Sequence, residues 1–433
     1  MAIDTPAKIA ILGAGPIGLE AALYARFLGY DVAIFERGEV ADSVRRWGHV
    51  RMFSPFSMNR SPLGLAAIGA QNEAYRPPSD DALLTGYEWL DQYLLPLSQT
   101  DLLADHLRTR TEVVAVGKEE LLKQDLPGHE DRGDWSFRIL TRDREGREAI
   151  ETADAVIDAC GLFGQANWLG HGGMPAAGEQ SLREQIEYRL PEIAGPDRSR
   201  YAGRHTLLIG AGASAATNLV ALGQLAQASP GTRATWITRR EGPAGTAGPI
   251  AVIAGDRLPQ RAQLAGEANR LAGDPSSGIA YWPATVVERI GRENAAGSFH
   301  VELSGRHAGV YAFDEILANV GFRPDHRLYE ELQIHECYAT QGPMKLAAAL
   351  AGQTAAGQVS ASQTSADCLD QTGHGPATLL NPEPNFYILG TKSYGRKSNF
   401  LFSVGLQQIR DVFTIIGDRA SLDLYATAPN LRP

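Results

Sequence analysis

The chain contains two copies of one pattern of hydrophobic and polar positions. In residues 7–38 an apolar run (about 8–12) leads into a glycine turn, a segment with helical periodicity (about 16–28) and a second apolar run (about 31–35). Residues 204–240 repeat this order, with apolar runs near 205–209 and 233–238 around a helical segment near 213–227. Short apolar runs bounded by glycine predict buried strands, so each copy is predicted to be a βαβ unit.

Outside the two copies the pattern is weaker. Residues 40–110 are rich in aromatic residues and proline, with a helix predicted around 81–95. Alternating segments in residues 111–160 predict a small β-meander that returns to a buried strand. Residues 350–368 are rich in Ala, Gly, Gln and Ser, which predicts a loop with room for a helix at its start. An amphipathic helix is predicted to begin near Asn399.

The composition narrows the classes of protein to which the chain can belong. It has 433 residues, of which 44% are hydrophobic and 21% charged, as is typical of a soluble globular protein with two or three domains. The formal net charge of -10 argues against nonspecific nucleic-acid binding, because no excess of Lys and Arg exists to neutralise phosphates.

The cysteines and the N-terminal segment bear on the cellular compartment. Cys160, Cys337 and Cys368 form no C-x-x-C, so no disulfide framework, zinc ribbon or vicinal dithiol is expected, which fits a reducing cytoplasm. The most apolar N-terminal segment is broken by glycines and contains Glu20 and Arg26. We therefore expect neither a signal peptide nor a membrane span.

The first copy carries the glycine pattern of a dinucleotide cradle. Gly13, Gly15 and Gly18 form G-x-G-x-x-G between strand and helix, and Glu36 follows Gly13 by 23 residues at the end of the second strand. Such glycines allow a tight turn, close approach of the backbone to a pyrophosphate and close helix packing, while the carboxylate accepts from ribose hydroxyls. The N–H groups and dipole of the helix N-terminus favour the negative pyrophosphate.

The second copy has a closely similar cradle. Gly210 and Gly212 match the first two glycines, and Ala215 takes the third position, where only a small residue is needed. Ser214 is a further candidate donor to a phosphate.

Two guanidinium groups follow the second strand of this copy. Where the first copy has Glu36, the second has Thr238 followed by Arg239 and Arg240. A hydroxyl and two guanidiniums would pair with the 2′-phosphate that distinguishes NADPH from NADH. If each charge-assisted bond contributes about 1.5–3 kcal/mol, one or two of them favour NADPH by roughly tenfold to several-thousandfold. The other interpretation is that both arginines are solvated loop charges.

Two cradles in one chain predict electron transfer between two dinucleotides. A dehydrogenase needs one cradle, whereas FAD together with a nicotinamide cofactor needs two. The acid-terminated first copy suits the adenosine of FAD, and the arginine-terminated second copy suits NADPH.

On these residues the chain resembles the two-dinucleotide-binding-domain flavoproteins, which include glutathione and thioredoxin reductases and flavin-containing monooxygenases. Residues 159–161 are similar to the family's Ala-Thr-Gly segment, and residues 313–325 to its return from the NADPH domain. The resemblance implies an α/β fold with two Rossmann-like domains. An NADPH-binding domain (196–325) would be inserted into a discontinuous FAD-binding domain (1–195 and 326–433), as in glutathione reductase.

The resemblance also implies candidate site residues. Trp47 and Asn59 correspond by position to a Gly-Gly-x-Trp stretch and an active-site Asn of the monooxygenases. Gly390 remains from a C-terminal Gly-Asp signature, whereas Thr391 replaces the Asp, and Tyr188 stands in a motif whose His is absent. The candidate catalytic residues are Asn59, Arg51, Tyr394 and Arg396. Further candidate cofactor contacts are Pro16, Ile17, Arg37, Trp47, Val113, Gly161, Gly321, Gly390 and Asn399.

The roles of some candidates stay open. Lys392 or Arg396 would either stabilise negative charge on a reduced flavin or clamp an anionic substrate. The helix near Asn399 would direct its N-terminus at the flavin's pyrimidine end. No metal site is predicted, since "HEC" at 335–337 does not match H-E-x-x-H.

Three functions remain open at this point. The leading hypothesis is an NADPH-dependent FAD monooxygenase that uses O2 to oxidise a small polar or heteroatom-containing substrate, because two cradles occur without a redox dithiol. The second is an NADPH-dependent flavin oxidoreductase that passes electrons to a soluble acceptor, and the third is a noncatalytic redox sensor. No nucleic-acid or membrane partner is expected, and the resemblance leaves a homodimer open.

Overall fold

The computed structural model describes residues 3–242, 248–253, 255–294, 297–355, 373–397 and 399–428. The chain divides into two compact units. Unit 1 comprises Met1–Gln165 and Arg323–Pro433, and unit 2 comprises Ala166–Phe322. Each unit has its own parallel sheet and its own antiparallel three-stranded sheet.

The strands are numbered in chain order: β1 (Lys8–Leu12), β2 (Asp31–Phe35), β3 (Leu107–Arg108), β4 (Glu112–Lys118), β5 (Phe137–Arg142), β6 (Glu148–Ala153), β7 (Ala155–Asp158), β8 (His205–Ile209), β9 (Arg233–Ile237), β10 (Ile279–Trp282), β11 (Thr285–Arg292), β12 (Phe299–Gly305), β13 (Gly309–Phe313), β14 (Glu315–Ala318) and β15 (Phe386–Ile388). The α-helices are α1 (Pro16–Phe27), α2 (Asp42–Arg45), α3 (Pro62–Gln71), α4 (Gly86–Trp89), α5 (Leu95–Ser98), α6 (Glu179–Leu182), α7 (Arg198–Tyr201), α8 (Ala213–Ala228), α9 (Pro259–Gly273), α10 (Met344–Ala355), α11 (Phe402–Ile416) and α12 (Leu424–Thr427). A π-helical turn, Leu90–Leu94, joins α4 to α5.

Unit 1 is built on a five-stranded parallel sheet in the order β15-β7-β1-β2-β3. Residues 9–12 of β1 are fully buried, as expected for a central strand covered on both faces. The register places Leu12 opposite Phe35. The residues that follow, Gly13 and Glu36, therefore reach the carboxyl edge of the sheet together, where ligands bind in such sheets.

Unit 2 repeats this arrangement with a four-stranded parallel sheet in the order β10-β9-β8-β14. Ile209 lies opposite Ile237, so Gly210 and Thr238 also share a carboxyl edge. The buried Trp236 of β9 donates from its indole nitrogen to the Gly210 carbonyl at 2.7 Å. The second cradle is thus supported directly by the core of unit 2.

Both predicted βαβ units are confirmed: their strands are β1, β2, β8 and β9, and their helices are α1 and α8. The helix predicted around 81–95 begins only at Gly86, because Thr85 and Glu88 form a capping box. The Thr85 hydroxyl accepts from the Glu88 N–H at 3.1 Å, and the Glu88 carboxylate accepts from the Thr85 N–H at 2.7 Å.

The meander of unit 1 returns to the buried strand β7, as predicted, but its third strand was not recognisable from the pattern. That strand is β6, most of whose side chains are exposed, so it lacks the apolar alternation that marks a half-buried strand. The C-terminal helix α11 begins at Phe402 rather than near Asn399, because Leu401 before it is extended. Within the predicted loop at 350–368, α10 continues to Ala355, and residues 356–368 lie outside the described residues.

The division between the units differs from the predicted boundary at residue 195. Residues 166–195 belong to unit 2, since isolated β-bridges join this segment to β11 and β14. The second division, after Phe322, is close to the predicted one at residue 325. Among the helices that the structure describes, none is long and apolar enough to cross a membrane.

Candidate functional site

The first glycine turn has the shape that a dinucleotide cradle requires. Gly13 has φ +99°, and a Cβ on Gly18 would lie 1.9 Å from the Gly13 carbonyl oxygen, so both positions require glycine. A Cβ on Gly15, by contrast, would meet nothing within 4 Å. Gly15 precedes α1, whose first residue is Pro16 and whose N-terminus has no side-chain cap. The turn therefore offers uncapped N–H groups beside open space, which fits a pyrophosphate.

Glu36 holds this turn from the neighbouring strand. Its carboxylate accepts from the Ala14 N–H at 3.0 Å through one oxygen and from the Gly38 N–H at 2.8 Å through the other. Burial raises the pKa of Glu36, and the two backbone donors oppose that shift. Each carboxylate oxygen keeps a free lone pair, so the predicted contact with ribose hydroxyls is compatible with these bonds. Arg37 is exposed, and its guanidinium lies beside Gly164.

The second glycine turn has the same design. Gly210 has φ +133°, and a Cβ there would lie 2.3 Å from the Asn319 carbonyl oxygen. Gly212 precedes α8, has open space around its Cβ position and leaves the helix without a side-chain cap. Ala215 is fully buried, which explains the need for a small residue, whereas Ser214 is exposed at the first turn of the helix.

The Thr238 hydroxyl has partners within unit 2. Its hydroxyl donates to the Arg240 carbonyl at 2.7 Å and lies 2.9 Å from the Tyr281 hydroxyl, and the residue is buried. Thr238 therefore stabilises the turn that carries the two arginines, and its predicted contact with a phosphate stays a prediction. Arg239 and Arg240 are both exposed at the carboxyl edge of the sheet, where they are available to an anion.

The segment after α2 contains two candidate catalytic residues. The Asn59 amide nitrogen makes local contacts: it donates to the Ser54 carbonyl at 3.1 Å, the Ser54 hydroxyl at 2.9 Å and the Pro55 carbonyl at 2.9 Å. Arg51 is exposed, donates to the Leu83 carbonyl and lies 3.9 Å from the Glu88 carboxylate. These contacts give both residues a structural role, so their predicted catalytic roles gain no support.

Trp47 lies in the same region and packs against α4. A Cβ on Gly86 would lie 2.7 Å from the Trp47 ring, so the glycine is needed for this close approach. Trp47 is partly buried against the core of unit 1. Its predicted contact with a cofactor stays a prediction.

The C-terminal segment contains a buried ion pair that connects two candidate cofactor segments. Lys392 Nζ lies 2.5 Å from the Asp158 carboxylate, and both side chains are buried. Burial disfavours the Lys392 ammonium, but attraction to Asp158 outweighs this and raises its pKa. Lys392 also lies 4.7 Å from the centre of the Tyr329 ring. Because Asp158 occupies it, Lys392 is a poor candidate for a substrate clamp.

Gly390, which precedes this lysine, fits its predicted place near the first cradle. It has φ +72°, its N–H donates to the Gln408 amide oxygen at 2.9 Å, and its Cβ position lies 3.4 Å from Ile17. A Cβ on Gly161, with φ +69°, would lie 3.5 Å from the Thr391 hydroxyl. The structure thus brings Gly161, Gly390 and the start of α1 together.

Three other C-terminal candidates do not share one environment. Tyr394 is buried, its hydroxyl has no hydrogen-bond partner among the described residues, and its ring contacts Phe400 edge-on. Arg396 is exposed and donates to the Gln341 amide oxygen at 2.7 Å. Asn399 lies three residues before α11, so it is not the first residue of that helix.

The remaining candidates are backbone or packing positions. Val113 pairs with Thr141 beside a register shift in β4 and packs against the unit 1 core. Gly321 has φ +79° and faces Asn167. Cys160 is exposed as a residue, but its Sγ is directed at the Leu12 carbonyl at 3.5 Å, and burial of the thiol raises its pKa. This environment suppresses thiolate formation and nucleophilic chemistry.

The sequence offered little signal for several buried polar groups. The Asp158–Lys392 pair joins residues 234 positions apart, which no local pattern predicts. Tyr188 donates to the Glu179 carboxylate at 2.7 Å and stacks with Arg183, so it serves the packing of unit 2. Within the described residues no group of three or more potential metal ligands converges.

Comparisons with solved structures place this geometry among known folds. A bacillithiol disulfide reductase from Bacillus cereus superimposes with a TM-score of 0.66 and 16% identity, over 95% of this chain and 99% of that one. An ornithine N-hydroxylase from Kutzneria sp. 744, with reduced FAD, NADP+ and L-ornithine, superimposes with a TM-score of 0.59 and 15% identity, over 96% of this chain and 100% of that one. A flavin-containing monooxygenase from Stenotrophomonas maltophilia superimposes with a TM-score of 0.54 and 17% identity, over 96% of this chain and 99% of that one.

The chain has the fold of the two-dinucleotide-binding-domain flavoproteins. The predicted fold class is therefore confirmed. Proteins with this fold include both disulfide reductases and monooxygenases, so the fold alone does not choose between them. No protein-family model matches the chain, and no curated protein matches it by sequence.

Proposed function

We propose that the protein is an NADPH-dependent FAD monooxygenase acting on a small polar or heteroatom-containing substrate. The observation that carries the proposal is the pair of open, uncapped glycine cradles, one beside Glu36 and the other beside Arg239 and Arg240. The solved structures of the same fold include enzymes named as monooxygenases and as an N-hydroxylase, which supports this class of reaction. The reaction would convert substrate, NADPH, H+ and O2 into oxygenated substrate, NADP+ and water.

The residues of unit 1 would hold FAD. The open backbone at Gly15 and the N-terminus of α1 would bind the pyrophosphate, and Glu36 would accept from the adenosine ribose. When bound, FAD accepts a hydride from NADPH and delivers electrons to oxygen. The Asp158–Lys392 pair holds the end of β7 to the segment at Gly390, which keeps two walls of the candidate site in place.

The cysteines favour an acceptor other than a disulfide. The resemblance implies that reductases of this fold use a redox dithiol, whereas the sequence contains three cysteines and no C-x-x-C. The two that the structure describes, Cys160 and Cys337, are free thiols. Electron transfer to oxygen needs no protein thiol, which supports the monooxygenase over a disulfide reductase.

The test of the proposal is stopped-flow absorbance of the FAD-loaded protein. The protein is reduced anaerobically with NADPH and then mixed with oxygenated buffer. A spectrum distinct from oxidised and from fully reduced flavin, persisting before reoxidation and decaying faster with a substrate, is the expected result. Direct reoxidation, unchanged by a broad set of substrates and coupled to no oxygenated product, would support the flavin oxidoreductase instead. Failure of NADPH to reduce the flavin would refute both enzymes.

The arginine pair provides a second test. Changing Arg239 and Arg240 to Ala is expected to raise KM for NADPH by roughly tenfold or more while changing KM for NADH little, because only NADPH carries the 2′-phosphate. Arg204→Ala is the matched control, since Arg204 is exposed at the opposite, amino edge of the same sheet. Equal effects of the double substitution on both cofactors would remove the 2′-phosphate assignment.

A further inference from the structure

A stacked pair of aromatic rings lies next to the arginine turn of unit 2. Trp282 ends β10, and the His307 ring lies parallel to it, with 4.9 Å between centres and 8° between planes. Tyr311 contacts the same indole at 4.8 Å and 58°. Trp282 and His307 are each partly exposed, so the stack belongs to the surface of unit 2.

Backbone hydrogen bonds fix the stack beside the second cradle. The Thr238 N–H donates to the Trp282 carbonyl at 3.3 Å, and the Thr285 N–H donates to the Thr238 carbonyl at 3.0 Å. The end of β9 is therefore enclosed by residues 282–285. Since β9 and β10 are parallel neighbours, Trp282 reaches the same carboxyl edge as Arg239 and Arg240.

The hairpin that supplies His307 is attached to the same corner. The Arg306 N–H donates to the Ala284 carbonyl at 2.9 Å, and the Arg306 guanidinium pairs with the Glu241 carboxylate. Glu241 directly follows Arg240 in the chain, and His307 directly follows Arg306. One ion pair thus joins the residues adjacent to the arginine turn and to the stack.

We propose that the Trp282–His307 stack is the adenine-binding platform of the second cradle. The assignment rests on the proposed nicotinamide-dinucleotide role of unit 2. A nucleotide whose 2′-phosphate meets Arg239 and Arg240 has its purine only one ribose away, and flat aromatic faces bind purines by stacking. The hydrogen bond from the Arg306 N–H to the Ala284 carbonyl already anchors the β12–β13 hairpin. Stacking of His307 on Trp282 is therefore not needed to hold that hairpin in place.

The experiment measures binding of two adenosine probes that lack the nicotinamide half. Adenosine 5′-monophosphate tests the base, and adenosine 2′,5′-bisphosphate adds the 2′-phosphate. Both are titrated by calorimetry into the full chain with its flavin, for the wild type, His307→Ala, His307→Phe and the Arg239→Ala/Arg240→Ala double variant. His307→Phe is the matched control, because it keeps a flat ring at the same position.

His307→Ala is expected to weaken both probes by the same factor, about five- to tenfold, which is the low end for loss of a stacking partner. His307→Phe is expected to stay within about twofold of the wild type. The arginine double variant is expected to lower only the preference for the bisphosphate. The base and phosphate subsites are thus separated by two variants.

Any other result contradicts either the adenine platform or the 2′-phosphate assignment. Wild-type affinity of His307→Ala for both probes overturns the platform, and so does a loss confined to the bisphosphate, which would indicate a charge contact instead of stacking. If the wild type binds both probes equally, the 2′-phosphate assignment fails while the monophosphate titration still decides the platform. If the wild type binds neither probe, the nucleotide role of unit 2 and the platform fail together.

Discussion

The side chain of Glu20 makes the stability of unit 1 depend on pH. This residue lies in the middle of α1 and is fully buried. The Tyr93 hydroxyl donates to one carboxyl oxygen at 2.6 Å. Tyr425 approaches the same group and lowers its pKa, but within the part of the chain that the structure describes neither its hydroxyl nor the second carboxyl oxygen has a hydrogen bond of normal geometry. Burial outweighs these contacts and raises the pKa of Glu20 to about 7.

The sign of the effect follows from the protons bound in each state. Between the usual Glu pKa of 4.5 and the folded value of about 7, the folded chain binds a proton that the unfolded chain has lost. The free energy of unfolding therefore falls as pH rises through this window and is constant above it. The two pKa values differ by about 2.5, which corresponds to roughly 3 kcal/mol, or about 300-fold in the opening equilibrium.

Glu20→Gln removes the titrating proton and keeps an oxygen that can accept from Tyr93. Hydrogen exchange of peptides from α1 and α3 reports the stability of this region without unit 2. Relative to the wild type, we expect the opening free energy of the variant to rise by about 2.5 kcal/mol between pH 5 and pH 8, since part of the window lies below pH 5. Glu73→Gln, at an exposed position of the same unit, is the control and should show no such gain. If protection in Glu20→Gln and in the wild type changed equally between the two pH values, the raised pKa of Glu20 would be wrong.

Two further predictions concern unit 1. Gly15→Ala should leave the thermal stability of the flavin-free protein unchanged but reduce retention of FAD on gel filtration, because its Cβ enters open space. Gly18→Ala should instead destabilise the fold, since its Cβ would lie 1.9 Å from a carbonyl oxygen. Equal loss of stability in both variants would contradict the cradle geometry. Arg132→Met should lower the free energy of unfolding in urea by about 3–5 kcal/mol, because it leaves the Glu383 carboxylate, paired at 2.8 Å with both side chains fully buried, without its partner. The double variant that also carries Glu383→Leu should recover most of that loss, and a loss that simply adds would show that the pair is not coupled.

The local sequence pattern was sufficient to predict the two βαβ units and their glycine turns. Apolar strand, glycines and helix lie within about 30 residues in each copy, and the physical constraints on them are local: a positive φ at Gly13, the close approach at Gly18 and the small residue at position 215. The register of β1 on β2 then brings Glu36 to the turn without any information from the rest of the chain. The same holds for β8 and β9.

The sequence pattern did not predict the contacts of side chains whose partners lie far away in the chain. Thr238 was predicted to meet a phosphate, but the tyrosine hydroxyl of Tyr281 on the neighbouring strand and the turn carbonyl of Arg240 occupy its hydroxyl. The Arg51 guanidinium binds the backbone 32 residues later, at Leu83. Such contacts depend on which segments the fold brings together, and residue type alone does not reveal them.

The two glycine cradles were predictable from the amino-acid sequence alone, because hydrophobic periodicity and glycine geometry act within one supersecondary unit. Three further features become visible only in the folded chain: Lys392 pairs with Asp158, the unit boundary follows Gln165, and Trp282 and His307 lie at the same sheet edge as the arginines. These facts arise from burial and pairing between residues far apart in the chain. Their energies depend on desolvation and exact neighbours, which exist only once the chain has folded.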